Sequence, residues 1–206
     1  MLHSFFGSNP NMKNHTRILF IASLAVGLLT SARAAVETYA IDPVHSSVGF
    51  SIRHVFTNVP GTFTKFSGTL TVDRANLENS TVEATIDVAS LDTRSAKRDS
   101  DVQASAYFDT AKNPTITFKS KSWKKTSTDT YDVTGDLTIK GVTKSVVLQA
   151  KLLGFGPGLM GAYVSGWEVT TTLNRHDFGV DGPSWLGKAI GEEVAVTIGI
   201  EADLKK

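Results

Sequence analysis

Cysteine is absent from all 206 residues of the chain. Disulfide bonds, covalent attachment of c-type haem, thiolate catalysis and cysteine-bound metals are therefore excluded. Clusters of basic residues are also scarce, since the densest one contains only Lys119, Lys121, Lys124 and Lys125. Because binding to phosphate backbones needs a clustered basic surface, the sequence argues against a nucleic-acid partner.

The apolar segment near the N-terminus is too short to span a bilayer. Ile18–Leu29 has twelve residues, whereas a membrane-spanning helix needs about 20. The segment follows Lys13 and Arg17 and precedes Ala32-Arg33-Ala34, which fits the A-x-A rule for signal peptidase. We therefore predict a signal peptide over residues 1–34, cleaved after Ala34, and a periplasmic mature protein. Whether translation begins at Met1 or Met12 stays open.

Residues 35–206 form the predicted mature domain. Removing residues 1–34 removes three of the 21 basic residues and none of the 20 acidic residues, which leaves a net charge of −2. A chain of 172 residues suits one domain with a sizeable core.

The dominant pattern after Ala34 is an alternation of apolar and polar residues, which is typical of strands with one buried face. The clearest runs begin at Val48, Val82, Ile116, Leu137, Val146, Tyr163 and Val194. Turn residues such as Pro60-Gly61 and Lys140-Gly141 separate the runs, and about eight strands fit this pattern. Short connections predict antiparallel pairing. Only residues 90–113 break the pattern, and Asp92 and Ser95 there are possible caps of a short helix.

A half-apolar sheet must bury its apolar face, and no long amphipathic helix is available to cover it. The sheet therefore closes into a barrel or folds over as a sandwich. Small residues such as Gly135, Ala150 and Ser165 favour a cavity inside. Its predicted lining comprises Phe50, Ile52, Phe118, Leu137, Ile139, Leu148 and Trp167. Periodicity alone leaves open whether these side chains line a cavity or fill a core, because it identifies only the inward face.

Several motifs follow one another along nearly the whole mature chain. They are Asp42-x-x-His45-Ser46, the strand 48–54, Gly61-Thr62-Phe63, Phe66-Ser67-Gly68, Asp92-Thr93, Arg98-Asp99, Phe108-Asp109, and residues 113–120, 135–143 and 174–180. In this order and spacing, they resemble the YceI-like polyisoprenoid-binding family. The resemblance implies an all-β fold, a single eight-stranded antiparallel lipocalin-like barrel with a short helical segment. It also implies an elongated apolar pocket for an isoprenoid chain, such as a polyprenyl phosphate or a quinone tail. From the residues and the resemblance together, we predict a periplasmic carrier with no covalent cofactor and no enzymatic activity.

The chain departs from the family pattern just after Arg98-Asp99. The family usually has His-Leu where this chain has Asp101-Val102, and Phe is more common than Tyr107. An acidic residue in place of a possible head-group contact puts the specificity for the lipid head in doubt.

Arg98 and Arg175 are the polar candidates for ligand binding. The structural interpretation is an ion-pair network with Asp99 and Asp177 that pins residues 90–113 against the loop 174–180, because partly buried arginines are usually paired. The functional hypothesis adds that one of the arginines orients a polar head group at the pocket mouth, where a planar guanidinium suits a phosphate or a quinone oxygen.

The histidines of the mature chain are His45, His54 and His176. His45 is a ligand-binding candidate. His45 and Ser46 are adjacent, but no glycine-framed nucleophile elbow surrounds Ser46, so we expect both to bond to backbone groups rather than to act in catalysis. The spacing of the three histidines fits no metal-binding motif, and no metal site is predicted.

Two other functions compete with the lipid carrier. One is a small-molecule hydrolase or isomerase that uses His45, Arg98 or His176 at the barrel mouth. The other is an accessory protein that presents a quinone or haem to a membrane electron-transfer protein. The expected partner is the lipid, with no membrane-spanning segment, while transient contact with the inner membrane and a homodimer are left open.

Overall fold

A computed structural model describes residues 36–205, and the predicted signal peptide lies outside them. The strands are β1 (Val36–Ile41), β2 (Ser47–His54), β3 (Thr57–Phe63), β4 (Phe66–Asp73), β5 (Thr81–Asp87), β6 (Leu91–Asp92), β7 (Thr115–Lys125), β8 (Thr130–Ile139), β9 (Val142–Pro157), β10 (Tyr163–Asn174) and β11 (Ile190–Leu204). The α-helix, α1, spans Ala96–Gln103, and short 3-10 helices span Leu77–Asn79, Val88–Ser90, Leu159–Gly161, Arg175–Phe178 and Ser184–Ala189.

Eight strands close into an antiparallel barrel. They follow the order β1-β4-β5-β7-β8-β9-β10-β11, and β11 pairs back with β1. Closure leaves no long unpaired edge in the ring, which removes the hazard of edge-to-edge association. The predicted eight-stranded antiparallel barrel is confirmed.

The long strand β11 serves two partners in succession. Its C-terminal residues pair with β1 in the register Tyr39↔Leu204 to Ile41↔Ala202. Its N-terminal part pairs with β2 from Ile190↔His54 to Gly199↔Ser47. β3 and β6 continue outward from β2. The wall beyond the closed ring is therefore extended by β2, β3 and β6.

One end of the barrel is closed by a chain of contacting aromatic rings. The rings belong to Tyr39, Phe155, Trp167, Trp123 and Tyr131, with successive centroids 6.0, 6.0, 5.5 and 6.1 Å apart. The turn between β7 and β8 and the connection between β9 and β10 lie at this end. The β2–β3 turn and residues 175–189 lie at the opposite end, which is the mouth.

The turn predicted at Pro60-Gly61 is wrong. Both residues lie inside β3, and the chain reverses at Val55 and Phe56, between the paired residues His54 and Thr57. Proline fits in this strand because β3 is peripheral and bonds to β6 only through Thr62 and Phe63. Gly61 leaves room for the Phe50 ring, whose Cζ lies only 2.2 Å from where a Cβ would stand.

The short helix expected in residues 90–113 is present as α1. The Ser95 side chain accepts a hydrogen bond from the Arg98 backbone N–H, so Ser95 is the N-cap. Asp92 instead accepts from the Arg94 backbone N–H in the turn before the helix. Within residues 36–205, no helix is both long enough and apolar enough to cross a membrane.

Candidate functional site

The barrel encloses a cavity of about 840 Å³ that reaches from the aromatic rings Trp123 and Trp167 to the mouth. Its walls are the inward faces of the strands, which contribute mostly apolar side chains. On β11 the inward residues are Val194, Val196, Ile198 and Ile200, and all four are only half-buried. They stay accessible because the space in front of them is not filled by other side chains. The interior is therefore hollow rather than packed solid.

Nine of the ten predicted ligand-binding residues line this cavity. They are Phe50, Ile52, Phe118, Leu137, Ile139, Leu148, Trp167, Arg98 and Arg175. The tenth, His45, is not among the lining residues. Alternation thus identified the inward face correctly, and contact of these residues with a ligand stays a prediction.

The small residues that favoured a cavity do not all create it. Ala150 lines the cavity, but Gly135 and Ser165 do not. At Gly135 the space is taken by the Phe118 ring, whose Cζ lies 2.5 Å from an ideal Cβ position. Ser165 is fully buried in the wall of the barrel. A small inward residue can therefore accommodate a neighbouring ring instead of leaving free volume, and the sequence pattern does not distinguish the two cases.

Arg175 is a buried cation at the mouth, with only 8% of its surface exposed. Its Nε donates to the Gly191 carbonyl at 2.8 Å, and its Nη1 donates to the carbonyls of Val180, at 2.7 Å, and Asp181. Among the residues that the structure describes, no carboxylate forms an ion pair with Arg175. Three carbonyl dipoles therefore hold this guanidinium in place without neutralising its charge.

Arg98 is held by a neighbouring threonine rather than by an acid. Its Nε donates to Thr93 Oγ1 at 2.8 Å and its Nη2 to the Thr93 carbonyl at 2.7 Å. Asp99 accepts from the Thr93 N–H and hydroxyl. The expected ion pairs of Arg98 and Arg175 with Asp99 and Asp177 are therefore wrong. Thr93 and backbone carbonyls accept the hydrogen bonds that were expected to go to carboxylates. The spacing of residues in the sequence does not predict such acceptors.

The unusual acid Asp101 lies at the cavity but has a cationic partner. Lys97 Nζ lies 2.8 Å from Asp101 Oδ2, one helical turn away, and both side chains are exposed. The charged side chains that line the cavity are Lys97, Arg98, Asp101 and Arg175. Three cations against one carboxylate make the mouth favourable for an anionic or electron-rich group.

Tyr107 forms part of the wall beside Arg175. Burial raises the pKa of the Tyr107 phenol, while the nearby Arg175 guanidinium acts in the opposite direction. The Tyr107 ring lies against Gly182, where an added Cβ would stand 2.6 Å from the ring. Gly182 also has a φ of 77°, a conformation that favours glycine. The Asp181-Gly182 turn and Tyr107 therefore fix each other at the mouth.

His45 lies in the loop that connects β1 to β2, in a cluster with Asp42 and Glu201. His45 Nδ1 is 2.6 Å from Asp42 Oδ2 and 3.8 Å from Glu201 Oε1. The hydrogen bond to Asp42 is the main reason why the pKa of His45 is raised and that of Asp42 is lowered. Each of the three offers an atom that could ligate a metal, all within 4.8 Å of one another. Sequence reasoning missed this cluster because Glu201 comes from β11.

Ser46 bonds to the backbone, as expected, whereas the same expectation for His45 is wrong because its Nδ1 bonds to the Asp42 carboxylate. Its Oγ donates to the Glu201 carbonyl at 3.1 Å and accepts from the Glu201 N–H at 3.0 Å. His176 pairs with Asp181 outside the cavity lining. Of the three residues proposed for a hydrolase or isomerase, His45, Arg98 and His176, only Arg98 lines the cavity. These residues therefore do not converge on a common catalytic site.

Several mouth residues were missed by sequence reasoning. His54, Pro183, Trp185 and Leu186 all line the opening of the cavity. The last three lie in or beside a 3-10 helix, Ser184–Ala189, where strand periodicity gives no information. A tryptophan next to Gly182-Pro183 was the available signal, since binding residues are found disproportionately on loops.

A closed antiparallel barrel around an apolar cavity with a charged mouth defines a class of proteins that hold a small apolar ligand. Within that class, the chain belongs to the YceI-like domain family, whose sequence pattern matches residues 39–202.

Relatives at the sequence level cover almost the whole chain. A UPF0312 protein of Ectopseudomonas mendocina (strain ymp) is 39% identical over 193 residues, which are 92% of this chain and 97% of the relative. A UPF0312 protein of Azotobacter vinelandii is 38% identical and covers 88% of this chain and 95% of its own length.

Solved structures share the fold. BcnA of Burkholderia cenocepacia has a TM-score of 0.72 and 25% identity, over 78% of this chain and 98% of BcnA. A polyisoprenoid binding domain from Saccharophagus degradans, implicated in plant cell wall breakdown, has a TM-score of 0.62 over 83% of this chain and all of the domain. Its identity of 16% supports a common fold alone.

Proposed function

We propose that this protein is a periplasmic carrier that holds an isoprenoid lipid, with the prenyl chain inside the barrel. The observation that carries the proposal is the apolar cavity of about 840 Å³. Cavities of roughly 300–1,000 Å³ are typical of sites that enclose most of a small ligand's surface. The polyisoprenoid binding named for the S. degradans domain of the same fold supports a prenyl chain as the occupant.

Burial of the chain supplies the main part of the binding energy. Each enclosed CH₂ group contributes about 0.8 kcal/mol, so several prenyl units give tight binding before the head group makes any contact. The aromatic rings of Trp123 and Trp167 close the far end of the cavity. The lipid therefore enters through the mouth with its chain first and leaves its head group near Arg98 and Arg175.

The mouth favours a head group with a negative charge or a polarised oxygen. Arg175 is buried, and its charge is not neutralised by a carboxylate within the described residues. A buried guanidinium gains most from an anionic partner at bonding distance. A polyprenyl phosphate meets this need with full charge and a quinone with its carbonyl oxygen, so we propose these two lipid classes, with the phosphate binding more tightly.

The proposed role is binding rather than catalysis. The predicted signal peptide over residues 1–34 would deliver the protein to the periplasm, where a water-insoluble lipid needs an enclosed carrier. No observation favours the hydrolase, the isomerase or the electron-transfer accessory over this role.

A matched pair of substitutions on β11 tests the proposal. Val196 points into the cavity and Thr197, the next residue, is exposed. Val196→Trp should fill the middle of the cavity, whereas Thr197→Trp adds the same ring on the outside. Uptake of a radiolabelled polyprenyl phosphate from detergent solution should fall at least tenfold, about 1.4 kcal/mol in binding, for Val196→Trp and stay unchanged for Thr197→Trp.

Far-UV and near-UV circular dichroism would establish that both variants keep the barrel. Equal uptake by Val196→Trp and the unmodified protein would contradict chain binding in the cavity. Failure of the unmodified protein to take up either prenyl lipid class would contradict the proposed function as a whole.

A further inference from the structure

The turn between β2 and β3 has unusual residues for its geometry. It is a two-residue hairpin loop formed by Val55 and Phe56, between the paired residues His54 and Thr57. Val55 has a φ of 52°. Such loops normally place glycine, asparagine or aspartate at positive φ, because a β-branched residue is strained there. Residues strained in this way cluster at active sites and ligand-binding sites.

Phe56 at the tip of this hairpin is almost wholly unburied. Its side chain is 95% exposed, the largest exposure among the large apolar residues of the described chain. Full burial of a phenylalanine side chain contributes about 1.5–3 kcal/mol relative to leaving it exposed. The exposed Phe56 ring does not provide this stabilisation to the folded domain. Nothing within residues 36–205 covers the ring, which leaves it free to contact a surface outside the folded domain.

A second exposed aromatic residue lies on the neighbouring segment of the mouth. Trp185 is 80% exposed and also lines the cavity opening. The Val55 N–H donates to the Ala189 carbonyl at 2.7 Å, which ties the hairpin tip to the end of the 3-10 helix that carries Trp185. We call the rings of Phe56 and Trp185, together with the adjacent Val55, the aromatic rim. The rim and the cavity opening share one end of the barrel.

We propose that the aromatic rim inserts into the surface of a lipid bilayer and so places the cavity opening against the membrane. This inference rests on the proposed function, because an isoprenoid lipid is nearly insoluble in water and must pass between the bilayer and the cavity. Tryptophan and phenylalanine side chains suit the bilayer interface, where an amphipathic or apolar ring leaves water without crossing the membrane.

The charges near the rim add attraction to anionic lipids to the insertion of the apolar rings. Arg53 and Lys188 have no ion pair among the described residues, and two exposed acids, Glu192 and Glu193, follow on β11. These four charges balance, but the mouth at the same end adds the cations Lys97, Arg98 and Arg175 against the single acid Asp101. We therefore expect salt to weaken binding to vesicles that contain phosphatidylglycerol and to change binding to phosphatidylcholine vesicles little, because salt screens electrostatic attraction to an anionic membrane.

The test uses residues 35–206, which include every strand of the barrel and omit the apolar segment Ile18–Leu29. Flotation with protein-free vesicles of phosphatidylethanolamine and phosphatidylglycerol, and separately of phosphatidylcholine, measures partitioning. The variant Phe56→Ser with Trp185→Ser should bind about tenfold more weakly for each ring removed. The control, Val44→Ser with Leu159→Ser, changes residues that are 82% and 85% exposed and lie outside the mouth. It should bind like the unmodified protein.

Fluorescence gives an independent readout, because Trp185 is the exposed tryptophan while Trp123 and Trp167 are buried. Vesicles should shift the emission of the unmodified protein to shorter wavelength and leave that of Trp185→Phe unchanged. Equal flotation of rim and control variants would overturn the inference, as would binding that requires membrane proteins in the vesicles. Uptake of prenyl lipid from detergent without vesicle binding would contradict only the insertion of the rim into a membrane. Vesicle binding without uptake would contradict the proposed function.

Discussion

At the residue scale, Gly135 determines how the Phe118 ring fits into the barrel wall. An added Cβ would lie 2.5 Å from both the Phe118 ring and the Lys119 carbonyl oxygen, and the latter belongs to a paired backbone that cannot yield. We predict that Gly135→Ala destabilises the fold by about 1–3 kcal/mol through overpacking. Urea denaturation measures this change.

Gly156 offers a control for that prediction. It also lies in a strand, and an added Cβ would meet no atom within 4 Å. Gly156→Ala should change the free energy of unfolding by less than about 0.5 kcal/mol. If urea unfolds Gly135→Ala and Gly156→Ala at nearly the same midpoint concentration, the close packing of the Phe118 ring against Gly135 is contradicted.

His45 should titrate above its ordinary pKa of 6.5, chiefly because its Nδ1–H donates to the Asp42 carboxylate. The folded protein then binds this proton more tightly than the unfolded chain. The resulting stabilisation is full below pH 6.5 and is lost as the pH rises through the raised pKa. The pKa of Asp42 is lowered from 3.8. Asp42 therefore stabilises the fold fully above pH 3.8, and this stabilisation is lost as the pH falls through the lowered pKa.

An NMR titration of the His45 ring tests this assignment with two variants. Asp42→Asn removes the hydrogen bond and the nearest charge, so it should lower the His45 pKa markedly. Glu201→Gln should lower it less, because Glu201 acts only through its charge, at 3.8 Å. A larger effect from Glu201→Gln than from Asp42→Asn would show that the order of these contributions is wrong.

At the scale of elements, Arg175 connects the 3-10 helix Arg175–Phe178 to the following turn and to the start of β11. Its guanidinium bonds to the carbonyls of Val180, Asp181 and Gly191. Arg175→Met keeps much of the apolar stem and leaves these carbonyls without their donor, so we predict a destabilisation of about 3 kcal/mol or more. Arg53→Met, at an exposed arginine with one carbonyl bond, should cost less than about 0.5 kcal/mol.

Denaturation curves for the two methionine variants check the contrast, and Arg175→Lys should recover part of the loss. Equal stability of Arg175→Met and Arg53→Met would contradict the anchoring role. Hydrogen exchange should also become faster at residues 180–191 in Arg175→Met, since these residues lose the connection that orders them.

Alternation in the sequence predicted several strands and their buried faces well. In β5 the residues Val82, Ala84 and Ile86, which line the cavity, alternate with the exposed residues Glu83 and Thr85, as period two requires. The helix α1 followed from its Ser95 cap. These features depend on residues close together in the chain, and a single sequence contains that information.

Features that depend on register or on non-local contacts were not predictable. The cluster of His45 with Glu201 needs the pairing of β1 with β11, whose residues are far apart in the sequence. Arg175 bonds to backbone carbonyls. Every residue has one, so the sequence does not reveal which carbonyls are used. The Pro60-Gly61 turn was misplaced because glycine there accommodates the Phe50 ring instead of reversing the chain.

At the scale of the whole molecule, the two ends of the barrel differ. Aromatic rings close one end, and the opposite end carries the cations Arg98 and Arg175 and the aromatic rim. A lipid bound with its chain at the closed end and its head group at the mouth places apolar atoms against the aromatic rings and a polar group beside the two arginines. Because the interior is hollow, the unliganded barrel also forgoes packing that a bound chain would supply.

Native mass spectrometry of the protein purified from its own host tests the central claim most directly. We predict a complex whose added mass is that of one lipid with a prenyl chain, released when the protein unfolds and absent from Val196→Trp. A barrel that is recovered without a ligand, and that stays at the mass of the polypeptide after incubation with polyprenyl phosphates and prenylated quinones, would contradict the claim.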